Sequence, residues 1–234
     1  MLKRNDVLTT ELIRNSEEIM YLLKRDNIEV SEIDNYHLYP IADNDTPRLS
    51  ADRLEYSLSN GLITYKLVDL EKIKKMYNDI IVQKDEKGID ELGFKTESIA
   101  KDFVWMTSKL SIIYREDRTR YSMQFIADLL KRLNNEGKLK REDLYTLKES
   151  EIIEIIEDSE YNEIFNKWRK AKKVLTSFAE PKNVYYVHHG AKVRYIDPLV
   201  NEKRISIVNK DAKDMINNNL SYNMDKYVYL NFNF

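Results

Sequence analysis

The sequence predicts a mainly α protein with a small α+β region at its C-terminal end. Three observations predict it. Apolar residues recur at helical spacing over most of the chain. Gly and Pro are scarce, at 5 and 4 in 234 residues, which favours long helices and few sharp turns. β-rich runs gather mainly after Pro181. On that change of character the chain divides into a helical body over 1–178 and an α+β tail over 179–234. The residues are 42% hydrophobic and 33% charged, a balance that supports a buried core.

Leu8, Leu12, Ile19, Leu22 and Leu23 place an amphipathic helix over Val7 to Asp26, and Ser31 to Asn35 can add a short turn. Tyr36 to Pro47 holds two prolines and an Asp-Asn-Asp cluster and reads as a loop. Leu49 to Asn60 is the next helix, with Ala51, Leu54 and Leu58 as its apolar stripe and Gly61 as an expected left-handed C-terminal cap. Asp69 caps a helix lined by Leu70, Ile73, Tyr77 and Ile80. Lys87-Gly88 turns a hairpin between Ile81-Val82 and Leu92–Phe94.

Thr96 opens a helix carrying Ile99, Phe103, Met106, Leu110 and Ile113, and Arg118 to Asn135 repeats the pattern before Gly137. Shorter helices cover Ser150 to Glu157 and Tyr161 to Lys173. In the tail, Val184–Val187 and Val193–Ile196 suggest a hairpin. Lys203–Val208 and Tyr227–Phe234 suggest further strands with a helix between them.

Lys plus Arg total 38 and Asp plus Glu total 40, for a formal charge of −2, so no strong field favours nucleic acid or an anionic membrane. There are no cysteines, which excludes disulfides and thiolate metal sites. The first twenty residues lack an uninterrupted apolar run, and no segment matches a membrane span, so a cytoplasmic protein is expected.

The segment Pro47-Arg48-Leu49-Ser50-Ala51-Asp52-Arg53-Leu54-Glu55-Tyr56 carries the strongest chemical pattern. Asp52, Tyr56 and Asn60 are spaced i, i+4, i+8 and share one helix face. A first-turn carboxylate with a cation beside it can serve a divalent metal and a phosphate together.

This run, after YHLYPIADND and before a VYYVHHGAKVRYIDPLV tail, resembles the last motif of the HD-domain metal-dependent phosphohydrolases. The resemblance implies a partial HD-type helical bundle and hydrolysis of a phosphate ester or nucleotide. It implies Asp52 as the final ligand of a divalent Mn, Fe or Mg ion. Arg53 would stand beside the phosphate, Tyr56 at the pocket wall, and Asn60 where relatives often carry an acidic or amide residue.

The chain departs from the family upstream of Asp52. The family's other ligands are a His and an adjacent His-Asp pair. Only 51 residues precede Asp52, their single histidine is His37, and no His-Asp dipeptide occurs anywhere. The front of the domain is therefore expected to be missing, with Met1 falling inside a longer family sequence. One carboxylate cannot fix a divalent ion's geometry, and Asp43 and Asp45 are more often turn formers than ligands.

Three outcomes follow: an enzyme completed by a chain supplying the His and His-Asp motifs, a non-catalytic binding or regulatory remnant, or a complete enzyme using another site. Loss of the front helices would also leave apolar surface to be covered by rearrangement or self-association.

Weaker signals have plainer explanations. Adjacent His188 and His189 on a strand would point to opposite faces. The basic run Lys167 to Lys173, with Trp168, reads as a solvated helix face offset by the acidic segment Glu149 to Glu163.

Overall fold

A computed structural model describes residues 4–35 and 38–234; the protein is mostly helical, at 53%, with two small sheets. No helix among the described residues is long and apolar enough to cross a membrane. Tyr36 and His37 lie outside the described residues.

The first expected helix is two. Helix α1 spans Arg4–Asn15 and α2 spans Glu17–Asp26. Ser16 divides them because its hydroxyl caps α2, accepting the Ile19 N–H at 3.3 Å. α3 (Val30–Ile33) is a single turn. α4 (Ala51–Ser59) then runs into a π-helical turn over Asn60–Thr64. Gly61 is not the left-handed cap expected there. It is buried in the π turn, where a Cβ would collide with the Met106 sulfur.

α5 (Leu70–Asn78) starts as expected, with the Asp69 carboxylate accepting the Lys72 N–H at 2.8 Å. Its inward face is Met76, however, while Leu70 and Tyr77 are exposed. The hairpin forms from β1 (Ile80–Lys84) and β2 (Asp90–Phe94). α6 (Glu97–Ile113) and α7 (Asp117–Asn135) are the long helices, followed by α8 (Glu149–Glu157) and α9 (Asn162–Lys170).

The tail differs more. β3 (Leu175–Ser177) was not expected, and β4 (Tyr186–Val187) pairs with no strand at Val193–Ile196, which is irregular. β5 (Leu199–Val200) and β6 (Lys203–Arg204) form a tight antiparallel pair. The expected strand over Lys203–Val208 becomes the helical turn α10 (Ile205–Val208), followed by α11 (Lys210–Leu220) and β7 (Tyr227–Tyr229).

The chain forms two compact units, and both the helical body and the tail contribute to each. The first joins Met1–Ser108 with Tyr195–Asn217, and the second joins Lys109–Arg194 with Asn218–Phe234.

In the first unit the sheet order is β1-β2-β5-β6, with β5 parallel to β2. Its buried residues include Leu49, Phe94, Phe103, Met106, Leu199 and Ile205, and the Phe94 and Phe103 rings lie 5.1 Å apart. Gln83 on β1 is buried and donates to the Phe94 and Leu199 carbonyls, at 3.0 and 3.3 Å. Its own oxygen accepts the Glu202 N–H at 2.6 Å. One side chain thereby ties the hairpin to the β5–β6 turn.

In the second unit β7 lies between β3 and β4, antiparallel to both. α7 supplies Tyr121, Phe125, Leu129 and Leu133, all at 0% exposure and spaced four apart, as one wall of the core. The Phe125 ring packs within 6 Å of Trp168, Tyr185, Phe232 and Phe234. Two polar tips in this cluster find partners: Trp168 Nε1 donates to Ser122 Oγ at 3.1 Å and Tyr185 Oη to Asp128 Oδ2 at 2.8 Å.

Gly93 tests the sheet. A Cβ there would stand 2.6 Å from the Leu199 carbonyl oxygen and 2.5 Å from Gln83 Nε2. The backbone of β5 cannot retreat without breaking its pairing, so Gly93→Ala should destabilise the protein by about 1–3 kcal/mol. A urea titration followed by circular dichroism reads this as a lowered midpoint with an unchanged slope.

Candidate functional site

The motif-bearing segment begins with a loop that closes on itself. The first free N–H groups of α4 find loop acceptors. Ala51 N donates to the Ile41 carbonyl at 2.8 Å and Asp52 N to the Ala42 carbonyl at 3.2 Å. Ser50, fully buried, caps the helix by accepting the Arg53 N–H at 3.3 Å. Asn44 Nδ2 donates to the Pro40 and Leu49 carbonyls, at 2.9 and 3.0 Å.

The Arg53 guanidinium is drawn into this ring. It donates to both the carbonyl and the side-chain oxygen of Asn44, and to the Arg48 carbonyl at 3.0 Å. Asp43 lies 3.7 Å away as its counter-charge, and the Arg53 side chain is 16% exposed.

A second layer anchors the loop from below. Glu91 on β2 is fully buried, and its Oε1 accepts the Leu49 N–H at 3.0 Å. The same carboxylate takes two bonds from Arg204 on β6, at 2.6 and 2.8 Å, a bidentate pair. Arg204 also reaches Glu86 at 2.9 Å and the Asp197 carbonyl at 3.1 Å. Burial acts to lower the Arg204 guanidinium, but Glu91 and Glu86 outweigh it and hold it above its usual value.

Arg48 lies 3.7 Å from Asp85, whose carboxylate also accepts the Lys87 and Ile89 N–H groups, at 2.9 and 2.8 Å, and so shapes the hairpin turn. Asp197 N donates to the Pro47 carbonyl at 2.9 Å, and Thr46 Oγ1 to the Tyr195 carbonyl at 2.6 Å.

The structure places the four sequence-predicted residues differently from one another. Asp52 is exposed on the first turn of α4, and among the described residues its carboxylate has no hydrogen bond or ion pair. Arg53 turns away from it into the loop. Tyr56 is half-buried one turn on. Asn60 accepts the Thr64 hydroxyl at 3.0 Å across the π turn. Asp43 is committed to Arg53 and to the Asn44 N–H, at 2.8 Å.

No group of three or more His, Asp or Glu residues able to hold a metal ion is found among the described residues. Among the described residues, Asp43 is the loop carboxylate with a committed partner. It faces the Arg53 guanidinium, and that fixed positive charge opposes a cation beside it. His37 lies outside the described residues. His188 and His189 bond to different partners. His188 Nε2 meets Asp225 Oδ1 at 3.0 Å while its ring stacks on Tyr227, and His189 Nδ1 faces the Gly190 carbonyl at 2.8 Å.

Sequence reasoning missed Glu91, Asp85 and Arg204. The available signal is a Glu inside a β run (DELGF) that leads into Leu92 and Phe94, because a carboxylate carried into a core with them needs a cation. No protein-family model, curated protein or solved structure matches the chain.

Two outcomes test this anchoring layer. Glu91→Ala leaves Arg204 and the Leu49 N–H without their shared acceptor, so a loss of about 3–5 kcal/mol is expected in urea or thermal unfolding. Exposed pairs such as Lys84–Asp90 contribute about 0–1 kcal/mol, so Lys84→Ala is the matched control.

The second outcome concerns acid. Burial acts to raise the Asp85 carboxyl, but the Ile89 and Lys87 N–H groups and the charges of Arg48 and Arg204 hold it below its usual 3.8. The unfolded chain therefore takes up this proton more readily, and Asp85 contributes stability above the unfolded value that is lost as pH falls through the folded one. The stability gap between wild type and Asp85→Asn should stay constant from neutral pH to about 4 and close below it.

Proposed function

We propose that this chain is a non-catalytic binding or regulatory module of HD-type ancestry and does not act alone as a metal-dependent phosphohydrolase. The observation that carries the proposal is the state of Arg53. The cation that the HD motif would set beside a phosphate donates to Asn44 and Arg48 and holds the 40–50 loop. Releasing it for a ligand would strip the loop of its central donor and leave the Asn44 and Arg48 carbonyls unsatisfied. The motif residues before it have the same character: Leu49 and Ser50 are fully buried, and Ser50 is a helix cap.

A second reading keeps one observation in its favour. Asp52 is exposed at a helix start with an uncommitted carboxylate, and a partner chain carrying a His and a His-Asp pair could reach it. The reaction would then belong to the assembly, as metal-assisted hydrolysis of a phosphate ester.

Metal titration of the isolated chain tests whether it can act alone. Calorimetric titration with Mn²⁺ or Fe²⁺ should show no saturable one-to-one site, and Asp52→Ala should alter stability by no more than about 0.5 kcal/mol. Arg53→Ala should cost more than Asp52→Ala, since it removes a partly buried hydrogen-bonding hub. Saturation at micromolar metal that Asp52→Ala abolishes would overturn the proposal, as would metal-dependent phosphatase activity lost in the same variant.

A further inference from the structure

The second unit contains a cavity of about 680 Å³, within the size range of small-molecule sites. It is walled by α7, α8, α9 and the segments that follow them. α7 presents two faces. Tyr121, Phe125, Leu129 and Leu133 fill the core, while Arg118, Ser122, Ile126 and Leu130, again four apart, line the cavity. This second stripe changes character along its length, from a cation and a hydroxyl at one end to two aliphatic side chains at the other. Ile152, Ile153 and Ile156 of α8 and Trp168 of α9 extend the apolar wall.

The geometry points to a binding site for a small amphipathic anion, an aliphatic or aromatic body ending in one carboxylate. Arg118 lines the cavity, and among the described residues its guanidinium has no hydrogen bond or ion pair. One turn on, Ser122 Oγ accepts the Trp168 indole N–H at 3.1 Å, which leaves its own proton available for a ligand. A guanidinium and a hydroxyl one turn apart on one helix face can grip a carboxylate at two points.

Among the lining residues two arginines stand against one carboxylate, which favours an anion. Arg169 also lines the cavity and engages Glu157 through one nitrogen, at 2.9 Å. Exposed Lys170, Lys172 and Lys173 are sequence neighbours of the lining residues Ala171 and Val174. The basic run, whose face reads as merely solvated in the sequence, thus borders the cavity. Glu149 is the one carboxylate among the lining residues; it sits in the first turn of α8, where the helix dipole offsets it. This site goes beyond the reading of Asp52 and does not depend on it, because every residue in it belongs to the second unit.

Calorimetry on the full chain with dodecanoate, dodecylammonium and dodecanol, all below their micelle concentrations, tests the site. Dodecanoate should bind one to one and more tightly than dodecanol, and dodecylammonium should bind weakest. Arg118→Gln should weaken dodecanoate about tenfold or more and leave dodecanol unchanged. Ile126→Trp should fill the cavity and abolish binding. Ala171→Phe, at the cavity edge, serves the same purpose if the tryptophan variant fails to fold. Failure of dodecanoate to bind would overturn the site. So would dodecylammonium binding as tightly as dodecanoate, or undiminished affinity in a folded Ala171→Phe protein.

Discussion

The first unit depends on one ion pair, between buried Glu91 and the mostly buried Arg204. Glu91 and Arg204 come from strands 113 positions apart in sequence, and their bidentate contact joins β2 to β6. Burying two charges costs several kcal/mol per ion, and their attraction offsets this only where the remaining hydrogen-bonding capacity is used. Here it is used. Glu91 also accepts the Leu49 N–H, and Arg204 also reaches Glu86 and the Asp197 carbonyl. The loop before α4 is therefore set by the sheet beneath it. Its position fixes where α4 begins, and so where Asp52 emerges into solvent.

The second unit rests on a different principle. α7 is read twice, once by an aromatic core and once by a cavity, because stripes one residue apart lie about 100° apart around a helix. The core stripe ends in Leu133 and closes against Val187, Val228, Leu230 and Phe232, so residues near the C-terminus are part of the core. Arg132 lies over the Phe234 ring at 4.2 Å, and Tyr161 meets the same ring edge-on. The chain end is thus held by aromatic packing more than by strand pairing, which covers only Tyr227–Tyr229.

Helical content was legible in the sequence because it rests on local periodicity. The stripes of α6 and α7, the Asp69 cap and the hairpin at Lys87-Gly88 all depend on residues within a few positions of one another. What could not be read depends on distant partners. Val193–Ile196 has the composition of a strand, yet Val228, with Tyr229, provides the pairing for Val187 and Tyr186, and among the described residues Val193–Ile196 pairs with no strand. Lys203–Val208 turns helical after two residues because Asp197 accepts from both the N–H and the hydroxyl of Ser206, at 3.0 and 2.6 Å. Gly61 looked like a cap by position, whereas its requirement is steric and comes from Met106 on another helix.

The site motif was legible as a pattern and ambiguous in meaning, for a reason that extends beyond this chain. Asp, Asn, Ser and Arg are the residues that ligate metals and phosphates, and also those that cap helices and close loops. Spacing does not separate the two uses, since a capped helix start and a metal-binding helix start both need a carboxylate or hydroxyl near the first turn. Saturation of hydrogen-bonding capacity does separate them. Arg53 and Asn44 have committed theirs inside the loop, whereas Asp52 on the same turn has not. Arg118 and the Ser122 proton satisfy the same criterion in the second unit, without any motif to mark them. On the proposed readings, uncommitted donors beside an apolar wall are the better guide to chemistry than the motif that first attracts the eye.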